Sequence, residues 1–192
     1  MFLPKYFFIT SGKAVSGESS LNAFDEALMN AKIDQCNIVS VSSIIPPDAV
    51  QIDPILITSG TITFAVLVRM DGSDGETIGA GVAWAWGKTQ SGQRYGIVAE
   101  DHGHKDNLAI DRELKDRLQR MSKARKLQLE EIHLRVEHID TIPNSKFGCV
   151  ISAFVYVPWQ LQESTRILAP IVPPSLPVNN ASKQTLPVAP SK

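Results

Sequence analysis

Asn37-Ile38-Val39-Ser40-Val41-Ser42-Ser43-Ile44-Ile45-Pro46-Pro47 is β-branched, alternates polar with apolar, and stops at two prolines. This is the pattern of a strand that cannot continue, because proline has no N–H to give to a ladder. What stands on either side of it fixes the class of the fold. Before it, residues 6–10 read as a first strand, and residues 11–20, rich in Gly and Ser, as a loop with Ser19 or Ser20 placed to cap a helix. That helix is expected over residues 21–32, with Leu21, Phe24, Leu28 and Ala31 at helical spacing. On it, Asp25 falls on or beside the buried face, where a lone carboxylate is costly and calls for a structural donor or a cationic ligand.

Beyond the prolines, strands are expected at residues 61–68, 77–86 and 94–100, divided by turn-rich segments at 71–75 and 87–92. Helical spacing returns over residues 107–129, where Ile110, Leu114, Leu118 and Met121 form an apolar stripe against a charged face that should lie across the sheet. Strands at 132–139 and 147–157 close the domain. Strands in runs with two helices, and no regular strand–helix rhythm, predict an α+β layered sandwich. From residue 160 onward the chain is rich in proline, including Pro170, Pro173, Pro174, Pro177, Pro187 and Pro190, and is expected to stay disordered. The organisation is thus one domain over residues 1–159 and a tail over 160–192.

Composition excludes more than it names. With 19 basic and 20 acidic residues among 192, the chain has no field that would draw it to nucleic acid or to an anionic membrane. No apolar run is long enough to span a bilayer, and Pro4 and Lys5 interrupt the N-terminal one, so a cytoplasmic protein is expected. Cys36 and Cys149 have no metal or redox spacing and read as buried thiols.

Most candidate motifs fail on their own requirements. Gly87-Lys88-Thr89 would need a glycine where Val82 stands to make a phosphate loop. Gly79-Ala80-Gly81 lies inside a strand pattern and reads as close packing, not as a dinucleotide turn. Glu100-Asp101-His102-Gly103-His104 holds enough ligand types for a metal, but no spacing elsewhere completes a site, and a solvated loop is the expectation. No metal is assigned.

Ser42-Ser43 remains, and alone it would be only a strand end. In context, Leu21-Asn22-Ala23-Phe24-Asp25-Glu26-Ala27-Leu28, Asn37-Ile38-Val39 and Ser42-Ser43-Ile44-Ile45-Pro46-Pro47-Asp48-Ala49 resemble, in residues and in spacing, the N-terminal half of the pyruvoyl-dependent arginine decarboxylases. Gly75-Glu76-Thr77-Ile78, Gly96-Ile97-Val98-Ala99-Glu100, Val136-Glu137-His138 and Phe147-Gly148-Cys149 continue the similarity. Asp34 and Cys36 depart from it.

The resemblance implies an αββα sandwich of the pyruvoyl-dependent histidine/arginine decarboxylase type, a homo-oligomer (trimer or dimer of trimers) with active sites between subunits, and decarboxylation of L-arginine to agmatine. It implies self-cleavage between Ser42 and Ser43, giving a β chain of residues 1–42 and an α chain of residues 43–192. Ser43 would become a covalent pyruvoyl group, with no pyridoxal phosphate, and Glu100 would be the proton donor. Asp25, Leu21 and Ile44 match substrate-pocket positions, and Asn37 a residue tied to processing.

These residue types suit that chemistry. Decarboxylation needs an electron sink, which a pyruvoyl ketone supplies once it has condensed with the substrate amine to a Schiff base. Only a nucleophile on the Cβ of position 43 permits both the acyl shift and the elimination that make the group. Glu100 must be partly protonated near neutral pH, hence in an apolar setting, which the strand before it could supply. Asp25 suits bidentate pairing with a guanidinium. Asn37 shares strand parity with Ser43, but six extended residues put about 20 Å between them. Its action is therefore expected across a subunit boundary unless the strand bends. The alternatives are another amino acid substrate, such as histidine, or an uncleaved assembly module.

Overall fold

The computed structural model describes residues 3–158. Its elements are β1 (Tyr6–Ser16), α1 (Ser20–Asn30), β2 (Asn37–Ser40), β3 (Ile44–Ile45), β4 (Val50–Gln51), β5 (Ile62–Ser73), β6 (Ile78–Thr89), β7 (Arg94–Gly103), α2 (Asn107–Ala124), β8 (Leu127–Leu129), β9 (His133–Ile139) and β10 (Phe147–Tyr156). The proline-rich tail expected from residue 160 lies outside the described residues.

Two long apolar strands explain the layering. β10 is buried on both faces, and side chains alternate across a strand. Val150, Phe154 and Tyr156 accordingly belong to one core cluster, and Cys149, Ile151, Ala153 and Val155 to another. β10 is the middle strand of the first sheet, ordered β2-β5-β10-β1-β4. In the second sheet, β3-β7-β6-β8 with β9 also paired to β6, the strand β6 is divided in the same way. Its Ile78, Ala80, Val82 and Trp84 join the cluster of Phe154, while Ala83 and Ala85 face a third cluster. The sheets therefore pack face to face, with α1 laid on the outer face of the first through Ala23 and Ala27, and α2 on the outer face of the second through Ile110, Leu114 and Leu118. Gly81 lets α2 approach, since a Cβ there would come within 2.8 Å of Leu114 Cδ1. The class is α+β, as the strand runs predicted.

Several boundaries differ from expectation. Residues 11–16, read as loop, continue β1, because Ser11–Ser16 pair in register with Phe147–Ser152 of β10 and the ladder outweighs the poor strand propensity of Gly and Ser. The helix expected over 107–129 ends at Ala124, and residues 127–129 turn back as β8 against β6. The strand expected over 37–45 is broken. β2 pairs in parallel with β5 in the first sheet, whereas β3 pairs antiparallel with β7 in the second. Residues 41–43 are the crossing between the two. The run 100–104, expected as a solvated loop, continues β7 as far as Gly103.

Candidate active site

The crossing at residues 41–43 places the two serines in different surroundings. Ser42 lines an apolar pocket of about 610 Å³ with Val41, Ile44, Pro46, Pro47, Phe64, Tyr95 and Tyr156 among its walls. Ser43 lines a separate cleft of about 550 Å³ with Val98, Ala99, Glu100, His102, Arg117, Arg120 and Met121. The two consecutive serines thus line different cavities.

Strand pairing explains why the cleft exists. β3 contributes only Ile44 and Ile45, opposite Ile97 and Gly96. Beyond Val98, β7 is paired among the described residues to β6 on one side only, and its other edge lines a cleft. Ser43 sits at the end of the short strand, its carbonyl accepting from the Val98 N–H at 3.0 Å. The approach of β3 depends on Gly96, where a Cβ would stand 2.8 Å from Ile45 Cβ. Arg94 secures the other side of the segment, donating from Nη1 to the Pro47 carbonyl at 2.8 Å while pairing with Glu130 at 2.9 Å.

Alternation along β7 turns Glu100 and His102 to one face and Asp101 to the other. Glu100 is half-buried, and desolvation pushes its carboxyl above the ordinary glutamate value, with His102 and Arg117 pulling it partly back. Asp101 is buried, and its oxygens go to Lys105 Nζ at 2.8 Å and to Arg117 Nη2 at 2.7 Å. It thereby fixes the start of α2 and one wall of the cleft. The acidic and histidine-rich run is part of a paired strand whose aspartate is spent on two cations.

The structure brings Ser42, Ser43, Ile44 and Glu100 together and leaves the other predicted residues apart. Asn37 opens β2 in the first sheet, opposite Ile62, and its Nδ2 donates to the Gly60 carbonyl at 2.8 Å. The chain does bend between it and Ser43. Asp25 corrects the expectation of a buried helix face, since it is exposed and the buried stripe of α1 is Ala23 and Ala27. Leu21 is likewise 69% exposed, although its spacing suggested the core side. The difference arises because α1 rests on β1 and β10 through small side chains, so that a narrow alanine stripe suffices and the larger residues flank it. Phe24, at the margin, is covered by the Arg69 guanidinium at 3.7 Å from its ring centroid.

Sequence reading missed His102, Arg117, Arg120 and Met121 as walls of the cleft, and Tyr156 beside Ser42. A signal was available for some. His102 is two residues from Glu100 on a strand, and Arg117, Arg120 and Met121 are three and four apart on a helix. Nothing local marked Tyr156, which comes from the other sheet.

Comparison with known proteins bears on this arrangement. A family model described as pyruvoyl-dependent arginine decarboxylase matches residues 6–160. A protein of Methanocaldococcus jannaschii named pyruvoyl-dependent arginine decarboxylase is 31% identical over 153 residues, covering 79% of this chain and 88% of that one. One of the same name from Methanopyrus kandleri is 30% identical over 160 residues, covering 81% and 99%. A probable pyruvoyl-dependent arginine decarboxylase of Chlorobium phaeovibrioides is 39% identical over 108 residues, and there the chain spans only 57% of the relative's length.

Proposed function

As the chain belongs to the pyruvoyl-dependent arginine decarboxylase family, we propose that it cleaves itself between Ser42 and Ser43 and decarboxylates L-arginine to agmatine and carbon dioxide. The observation that carries this is the cleft that Ser43 and Glu100 both line. The residues suit a pyruvoyl group derived from Ser43, which would open directly onto the proposed proton donor. Such a group supplies an electron sink for the bond to the departing carboxylate.

The chain's own residues then have separable tasks. Glu100, its carboxyl raised by burial, delivers a proton to the substrate Cα. Ile44 borders the apolar pocket next to the cleavage pair and gives the substrate a hydrophobic wall. Asp25 and Leu21, exposed together on α1, meet the substrate guanidinium and its alkyl stem from a neighbouring subunit, in a trimer or a dimer of trimers. Asn37, in the other sheet from Ser43, assists processing from across that boundary. The layer order is the αββα sandwich of the pyruvoyl-dependent histidine/arginine decarboxylases. The products of cleavage are a β chain of residues 1–42 and an α chain of residues 43–192 in a cytoplasmic enzyme.

Intact-mass measurement together with carbon dioxide release tests the reading. The expected result is a fragment ending at Ser42, a longer one lighter by one ammonia than its hydrolysis product, and gas evolved from arginine in preference to histidine. A single intact chain in active protein would falsify the proposal.

A further inference from the structure

Three consecutive carbonyls at the Ser42–Ser43 bond, those of Ser42, Ser43 and Ile44, each accept a hydrogen bond. The Ile44 N–H donates to the Ser42 carbonyl oxygen at 3.0 Å, closing a three-residue turn with Ser43 at its centre. The Val98 N–H donates to the Ser43 carbonyl at 3.0 Å. The Tyr156 hydroxyl donates to the Ile44 carbonyl at 2.7 Å.

These bonds act on two consecutive rigid planes. The Ser43 carbonyl and the Ile44 N–H belong to one trans peptide unit and point in opposite directions, so anchoring the carbonyl on β7 turns the N–H away from β7. The Ile44 carbonyl belongs to the next unit, and Tyr156 anchors that one from β10 in the opposite sheet. With both planes fixed, Ile44 has no backbone freedom left to swing its N–H off the Ser42 oxygen. The tyrosine is itself buried in the core between the sheets. Burial pushes its hydroxyl up to about 12, so it stays a donor throughout the neutral range.

We propose that Tyr156 is a positioning residue for self-cleavage, keeping the Ile44 N–H aimed at the Ser42 carbonyl oxygen while that oxygen gains negative charge. This rests on the cleavage proposed above. In the first step the Ser43 Oγ bonds to the Ser42 carbonyl carbon, the Ser42–Ser43 C–N bond breaks, and the hydroxyl proton ends on the released Ser43 amine. No other reactant is consumed. The charge of the tetrahedral species falls on the oxygen that the Ile44 N–H faces, which is where a pre-aimed donor lowers a barrier. Tyr156 touches none of the reacting atoms and works only through Ile44.

The test uses the full chain made by cell-free synthesis and chased over time, as the unmodified protein, Tyr156→Phe, Phe154→Leu and Ser43→Ala. Each time point is divided between a denaturing gel and hydroxylamine, which cuts esters and spares amides. Tyr156→Phe should convert on the order of tenfold more slowly, since an oxyanion donor is misaimed but not deleted, and its hydroxylamine-sensitive fraction should be smaller than that of the unmodified chain. Phe154→Leu, which loosens the same packing but keeps the hydroxyl, should melt lower yet convert near the unmodified rate. Unchanged conversion in Tyr156→Phe, a larger ester fraction in it, or equal slowing in folded Phe154→Leu would each overturn the assignment. If the unmodified chain never cleaves, or Ser43→Ala cleaves as well, the proposed function fails and this inference falls with it.

Discussion

The cleft between Ser43 and α2 and the outer face of α1 carry the two carboxylates proposed for the reaction, and they are built in opposite ways. Glu100 is half-buried at the cleft edge of β7, its carboxyl raised by desolvation and watched by Arg117 and His102. Asp25 stands exposed on a helix that buries only alanines beneath it. A proton donor needs a low-dielectric setting to hold its proton, and one protomer supplies it. A receptor for a guanidinium needs to be accessible, which an exposed helix position provides. In the proposed scheme, the cleavage pair and the proton donor lie within one chain, while Asn37 and substrate capture by Asp25 act across a subunit boundary.

The sharpest way to break that division is at Ser43. Ser43→Ala should abolish cleavage entirely, leaving one chain on a denaturing gel, because no oxygen remains to take the acyl group. Next comes Glu100→Gln, which should still cleave but release carbon dioxide on the order of a hundredfold more slowly if general acid catalysis is lost. In the unmodified enzyme, turnover should fall as pH rises through the raised carboxyl pKa of Glu100, and this limb should disappear in the variant. A Glu100→Gln protein that failed to cleave would merge the two steps that the comparison separates.

Asp25→Asn should cleave normally, keep most of its maximal rate, and show an arginine KM raised about tenfold, the scale of one charge-assisted hydrogen bond. Steady-state kinetics on processed protein would read this, and a defect in cleavage would move Asp25 into the other region.

A smaller effect concerns stability, measured in the cleavage-blocked Ser43→Ala background so that one chain unfolds. A carboxyl raised in the folded state binds its proton more tightly there than in the unfolded chain. Its contribution to stability is therefore full below the unfolded value of about 4.3 and is lost as pH rises to the folded pKa. Adding Glu100→Gln should leave the urea midpoint nearly equal to that of the background at low pH and higher than it at neutral pH. The smallest change is expected from deleting residues 161–192, which lie beyond the family match. Cleavage and arginine turnover should be nearly unaffected, as a gel and a gas-release assay would show.

Much of the layer plan could be read from periodicity. Ile110, Leu114 and Leu118 marked the buried stripe of α2, and Ile132, Leu134 and Val136 alternated as the sheet requires. Where reading failed, the deciding contact was distant in sequence. Ser11–Ser16 are strand because β10 lies beside them, and Asp25 is exposed because small residues of α1 meet the first sheet.

The sequence by itself determined the class of the fold, the membership in a family through spaced motifs, and the pairing of two serines with a later glutamate. Periodicity reports the first of these directly, and the resemblance of the spaced motifs to a known family implies the other two. Tertiary structure alone decided that the apparent strand 37–45 splits between two sheets, that Ser42 and Ser43 open onto different cavities, and that a tyrosine of β10 reaches the Ile44 carbonyl. The physical reason is that a strand's local pattern records which residues favour extension, but not which of two available edges will satisfy its backbone. That choice is made by packing between sheets, and the crossing it forces at residues 41–43 holds the proposed cleavage bond.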